Sequence, residues 1–137
     1  MLPIRKALAA SVLSIVPLTV SAAPAVADPQ LSFVVTPPSY VNSEGQVLLK
    51  TEVTCTAGAE GSASAYTQQT RMGILSAGSS FSSIECTGAP QTIWFTITAF
   101  SGPGFAPGPA GAQLSANACD AFGCAFLDER TTIRLRR

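Results

Sequence analysis

Gln46–Thr56 reads QVLLKTEVTCT, and Gln91–Phe100 reads QTIWFTITAF. In the first stretch Val47, Leu49, Thr51, Val53 and Cys55 fall on one side. Leu48, Lys50, Glu52 and Thr54 fall on the other. A period of two is the signature of a half-buried strand, and here it aims Cys55 at the core with the valines. The second stretch sets Ile93, Phe95, Ile97 and Ala99 against Thr92, Trp94, Thr96, Thr98 and Phe100. β-Branched and aromatic residues fill it, and these pack well on a pleated surface.

Other strand signals lie around these two. Leu31–Thr36 is a short apolar run ended by Pro37-Pro38, and Asn42–Gly45 is a turn. Ser62–Arg71 is a strand of small and polar residues, and Phe81–Cys86 is a short strand candidate. The Gly/Ser-rich segment 73–80 reads both ways. Ser101–Gly111 (SGPGFAPGPAG) is too rich in glycine and proline for a helix or a central strand. It is expected to carry the chain from one sheet to the other. Ala112–Cys119 alternates with Ala112, Leu114, Ala116 and Ala118 on one side, and Thr131–Arg136 ends the chain with Ile133 and Leu135 inward. No segment after residue 27 has a capped helical stripe, and there is no internal repeat. The expected fold is all-β: an antiparallel immunoglobulin-like β-sandwich of about seven strands, with a small barrel as the alternative. The single tryptophan, Trp94, does not lie between two cysteines of a long bridge, so the pattern of antibody domains is absent.

Residues 1–27 read as a secretion signal. Arg5 and Lys6 open it, residues 7–20 are mostly apolar, and Ala25-Val26-Ala27 is an A-x-A cleavage site. The apolar run is too short to span a bilayer, which takes about 20 residues, and Pro17 interrupts it. The expected product is therefore secreted and extracellular, a single domain over 28–137 with no membrane association after cleavage. That domain carries six cations against eight acids, a net charge of −2. Its field is too weak to draw in nucleic acid. Arg130, Arg134, Arg136 and Arg137 cluster at the end, where they read as the solvent face of a last strand.

The four cysteines, Cys55, Cys86, Cys119 and Cys124, allow three pairings. Cys119 and Cys124 enclose four residues, a span that a hairpin turn closes, which leaves Cys55 for Cys86. An exported domain of this size gains from such staples. A four-thiolate zinc site is the rival reading; it needs reduced thiols, which export disfavours.

The chain has no histidine, which removes histidine-based triads and histidine metal sites. Paired cysteines leave no thiol nucleophile. Lys50 is the only lysine after the leader and alternates with inward residues. No metal or cofactor is expected. Carboxylates remain: Asp128 and Glu129 would face opposite ways on a strand, and Asp120 and Glu52 would join them only if the fold did so. The expectation is a non-enzyme that binds a protein or a small apolar ligand. A small hydrolase built on those carboxylates, or a structural envelope protein, are the alternatives. Candidate binding residues are Trp94 and Phe100, with Tyr66, on one sheet face, and Phe105 and Phe122 in loops. The competing expectation for Trp94 and Phe100 is a second layer of the core; for the Phe122 loop it is a staple of the last hairpin.

The export signal, the short all-β domain and the loop Cys119–Cys124 (CDAFGC) before the last strand resemble the neocarzinostatin-type apoproteins of actinobacteria. The resemblance implies an immunoglobulin-like sandwich with two disulfides and a cleft, which in that family holds an enediyne chromophore. Cys55 and Cys86, 31 positions apart, depart from that family's shorter second loop, and no ligand residue carries across. Val53-Thr54-Cys55 is similar to an early strand of the actinobacterial subtilisin inhibitors, whose other cysteine positions do not fit. In general make-up the chain most resembles the small secreted actinobacterial proteins of unassigned function.

Overall fold

The computed structural model describes residues 27–137. Apart from Ala27, the leader lies outside the described residues. The 46–56 stretch forms β3 (Val47–Cys55), and its inward residues Val47, Leu49, Thr51, Val53 and Cys55 are all buried, as the alternation requires. β1 (Leu31–Val35) pairs antiparallel with one edge of β3 and β6 (Gln91–Ile97) with the other. Phe33 and Phe95 come in from these two flanking strands, with ring centroids 6.0 Å apart.

The second layer runs in the order β9 (Cys124–Arg136), β8 (Gly108–Cys119), β4 (Glu60–Arg71), β5 (Ile74–Glu85) and β7 (Ala99–Ser101). All its pairings are antiparallel. β1 packs over β8 and β9, and β6 over β5 and β4. β2 (Ser39–Val41) ties the layers together: it pairs with the start of β3 and, in parallel, with the end of β9. The fold is thus an antiparallel-dominated β-sandwich, of nine strands rather than seven.

The larger sheet faces inward with Ala63, Ala65, Ala112, Ala116 and Ala118 interleaved with Ile84, Leu114, Ile133 and Leu135, and the smaller one with Phe33, Leu49, Phe95 and Ile97. Small residues among the large let the sheets interlock at interior packing density. Cys55–Cys86 crosses from the end of β3 to the residue after β5, with Cα atoms 5.1 Å apart. Cys119–Cys124 closes the β8–β9 hairpin.

Three expectations change. The 91–100 stretch is two strands, because the chain leaves the small sheet after Ile97 and joins the large one at Ala99. The crossing therefore occurs at Thr98 and not within 101–111. The end of that glycine- and proline-rich run also belongs to β8: Pro109 pairs only with Arg134 of β9, and pairing with β4 starts at Gly111, so the missing N–H breaks no ladder on the β4 side. Residues 73–80, which read both ways, are the β4–β5 turn and the first half of β5. Gly73, at φ 77°, makes that tight turn with Met72 at φ 49°.

Candidate functional site

The outer face of the large sheet carries the most distinctive surface. Strand alternation puts Ser62, Ser64 and Tyr66 of β4 outward, with Gln113, Ser115 and Asn117 of β8 beside them. Phe126, Asp128 and Arg130 of β9 continue the rows on one side, and Ser79, Phe81 and Ser83 of β5 on the other. Read across the strands, one row is Phe81, Ser64, Ser115, Asp128; the next is Ser83, Ser62, Asn117, Phe126. The middle of the sheet is floored by short side chains while its flanks carry phenylalanine.

A depression of about 590 Å³ results, lined chiefly by Ser62, Ser64, Ser115, Asn117, Phe126 and Asp128. Phe126 is 77% exposed on one flank, and Phe81, beside Ser64 on the other, is 85% exposed. These flanking strands are three strand spacings apart, roughly 14 Å. A second hollow continues along the same face at Tyr66, Gln113 and Arg130. Tyr66 there packs on Phe100, with centroids 6.4 Å apart. Phe100 is the extra residue of a bulge: Ala77 pairs with Ser101 and Gly78 with Ala99. Bulges re-aim side chains, and this one sets Phe100 beside Tyr66.

The floor is polar but ordered. Asn117 Oδ1 accepts hydrogen bonds from the Ser62 N–H (2.9 Å) and the Ser62 hydroxyl (2.8 Å), which leaves its amide nitrogen as the donor. The Asp128 carboxylate accepts from Gln113 Nε2 at 3.0 and 3.2 Å. An apolar rim with a few fixed polar groups at its base is the make-up of small-molecule sites.

Of the aromatic candidates from the sequence, only Tyr66 and Phe100 come together. Trp94 is exposed on the outer face of the small sheet, opposite Lys50, and so lies on the far side of the sandwich from Phe100. Neither ring joins the core: a two-layer sandwich has no third layer to cover its outer faces. Phe105, expected in an exposed loop, is buried at the end of the sandwich, where its N–H donates to the Gly45 carbonyl at 2.9 Å. Phe122 is exposed at the tip of the β8–β9 hairpin, in a turn that Asp120 Oδ1 fixes by accepting from the N–H groups of Phe122 and Gly123.

No family model, curated protein or solved structure matches this chain. The site therefore rests on its own geometry.

The carboxylates are likewise dispersed. Asp128 faces outward on the large sheet, Glu129 alternates to the other side of β9, Glu52 faces outward on the small sheet, and Asp120 braces its own turn. Among the described residues, no group of three or more potential metal ligands forms. The sequence reading passed over Phe81 and Phe126. The signal was present: SSFSS and CAFLDE each place one phenylalanine among small or polar residues on a strand. A lone large ring in such a setting has no core partner on its face.

Proposed function

We propose that this protein is an exported, non-catalytic β-sandwich that holds a small apolar ligand in the depression lined by Phe126. The observation that carries this reading is the exposure of Phe126 beside a floor of serines and one asparagine, with Phe81 exposed on the next strand beside Ser64. Leaving a phenylalanine ring in water forgoes roughly 1.5–3 kcal/mol that burial would supply. A ligand that covers Phe126 recovers part of it.

Export is supported by the basic start, the short apolar run and Ala25-Val26-Ala27 in the sequence. The two disulfides suit an oxidising compartment. The resemblance to the neocarzinostatin-type apoproteins of actinobacteria supports a carrier role, since those sandwiches hold an apolar ligand in a cleft. The long Cys55–Cys86 loop departs from them, so the ligand is assigned only by chemistry: an apolar molecule with a polar group for Asn117 to donate to.

Titration with the neutral dye Nile red tests the reading. Fluorescence should rise to a saturable plateau. Phe126→Ser should weaken binding roughly tenfold, the equivalent of about 1.4 kcal/mol, while Trp94→Ser on the opposite sheet should leave it unchanged. Equal affinity in the wild type and Phe126→Ser would count against the site.

A further inference from the structure

A net charge of −2 conceals how the charges of this domain are divided. Arg71, at the end of β4, and Arg134, Arg136 and Arg137, at the end of β9, are all exposed. The pairing registers bring them to one end of the sandwich. Gln68 is opposite Gly111, which is opposite Thr132. Two residues further on, Thr70 is level with Arg134, and Leu75 lies opposite Thr70 on β5. Only β8 separates β4 from β9, so these two strands run about 10 Å apart. The acid at this end is Glu44, in the turn whose Gly45 carbonyl meets the Phe105 N–H. Four arginines against one glutamate give the end a side-chain charge of +3, while the rest of residues 28–137 holds two cations against seven acids, −5. Asp28, Glu60, Glu85 and Asp120 gather at the far end: Glu60 is opposite Glu85 on one side and Cys119 on the other, and Asp28 lies beside Gly123. The length of β4 sets the two ends roughly 35 Å apart.

The β4–β5 hairpin projects from the cationic end. Arg71-Met72-Gly73-Ile74-Leu75 is exposed throughout, and Met72 is 97% exposed. Met72 also sits at φ 49°, a left-handed turn position that favours asparagine, aspartate or glycine. An apolar side chain held out there gains nothing from the fold. Three apolar side chains on a narrow projection cover far less than the roughly 800 Å² that each partner buries in a standard protein interface. They suit a soft apolar phase under an anionic layer, which apolar groups enter while arginines stay among the headgroups.

We infer that this end docks on the surface of an anionic lipid bilayer, with Met72, Ile74 and Leu75 entering the interface and the four arginines meeting lipid phosphates. The acidic far end is repelled by the same surface, so charge also turns the molecule tip first. The contact is peripheral and reversible, since a few apolar side chains and cations anchor far less firmly than a spanning segment. The expectation of no membrane association treats the charge as uniform, which it is not. The docking goes beyond the ligand reading and does not depend on it: Phe126, Ser62 and Asn117 lie toward the acidic end of the large sheet.

Tryptophan fluorescence tests the inference. Trp94 is the single tryptophan, so Ile74→Trp in a Trp94→Phe background gives emission from the tip alone. With vesicles of equal parts phosphatidylglycerol and phosphatidylcholine, that emission should move to shorter wavelength and be quenched by brominated acyl chains. Vesicles of phosphatidylcholine alone should leave it unmoved. Adding Arg134→Gln/Arg136→Gln should raise the lipid needed for half the shift roughly twentyfold, from about fivefold per arginine. A leader retained on the chain does not mimic the signal, because the reporter is on the hairpin. Circular dichroism confirms that the variants are folded, and Nile red binding without vesicles reports separately on the ligand site. Emission that phosphatidylglycerol vesicles leave unmoved would overturn the inference. So would an equal shift with phosphatidylcholine alone, or one that Arg134→Gln/Arg136→Gln leaves unchanged. A shift produced as fully by soluble polyglutamate would assign this end to an acidic protein and overturn it too.

Discussion

Gln69 and Ala106 are joined by a two-way hydrogen bond: the Gln69 amide accepts from the Ala106 N–H at 2.9 Å and donates to the Ala106 carbonyl at 2.8 Å. The same Nε2 reaches the Pro109 carbonyl at 3.2 Å. Gln69 is buried. It acts as a surrogate strand partner for a loop whose prolines cannot form a ladder. Ser76 helps by donating to the Gly104 carbonyl at 2.8 Å. Together they hold Phe105 in the end of the core.

Replacing Gln69 with leucine keeps the volume and removes the bonds. Unpaired buried polar groups each cost about 1–3 kcal/mol, eased where water enters. Gln69→Leu should therefore lose about 2–4 kcal/mol in urea unfolding, with the loop around Phe105 gaining amide hydrogen exchange.

Thr67 gives the opposite sign. It is fully buried, and its hydroxyl has no hydrogen-bond partner among the described residues. Thr67→Val exchanges an unsatisfied hydroxyl for a methyl group of similar size. Stability should be unchanged or rise by about 1 kcal/mol, read as a higher urea midpoint.

Gly78 tests the sheet crossing. A Cβ there would lie 2.3 Å from the Thr98 carbonyl oxygen and 2.9 Å from an Ile97 side-chain carbon. The bare Cα lets the chain pass from β6 to β7 against β5. Gly78→Ala should cost about 1–3 kcal/mol through overpacking, and thermal unfolding should show a correspondingly lower midpoint.

The two disulfides should contribute unequally. Loop-closure entropy gives about 3–4 kcal/mol for a 31-residue separation and about 2 for one of five. Paired alanine replacement at Cys55 and Cys86 should therefore lower stability more than replacement at Cys119 and Cys124. Equal losses would show that native packing around the bridges outweighs the chain entropy.

Much of the fold was legible because burial imposes a period of two. Val47–Cys55, Ala112–Ala118 and Ile133–Leu135 all turn inward as their alternation predicts, and the spacing of the cysteines led to the pairing found. What escaped was fixed by distant contacts. Nothing local in TITAF marks the change of sheet at Thr98, which needs Gly78 on another strand. Nothing local in GPGFAPGP marks Phe105 as core, because Gln69, Ser76 and Gly45 hold it there. The site was legible only in part. Of the aromatics expected from sequence, Tyr66 and Phe100 share the outer face of the large sheet, while Trp94, Phe105 and Phe122 lie elsewhere; Phe81 and Phe126 come onto that same face through the register of four strands.

The most direct measurement is native mass spectrometry of the protein as recovered from the cells that make it and from their culture fluid. The ligand account predicts a second mass above that of the disulfide-bonded polypeptide, removed by organic extraction and absent from Phe126→Ser. A single mass matching the bare polypeptide in the wild type, with no uptake of apolar compounds by the extracted protein, would contradict it.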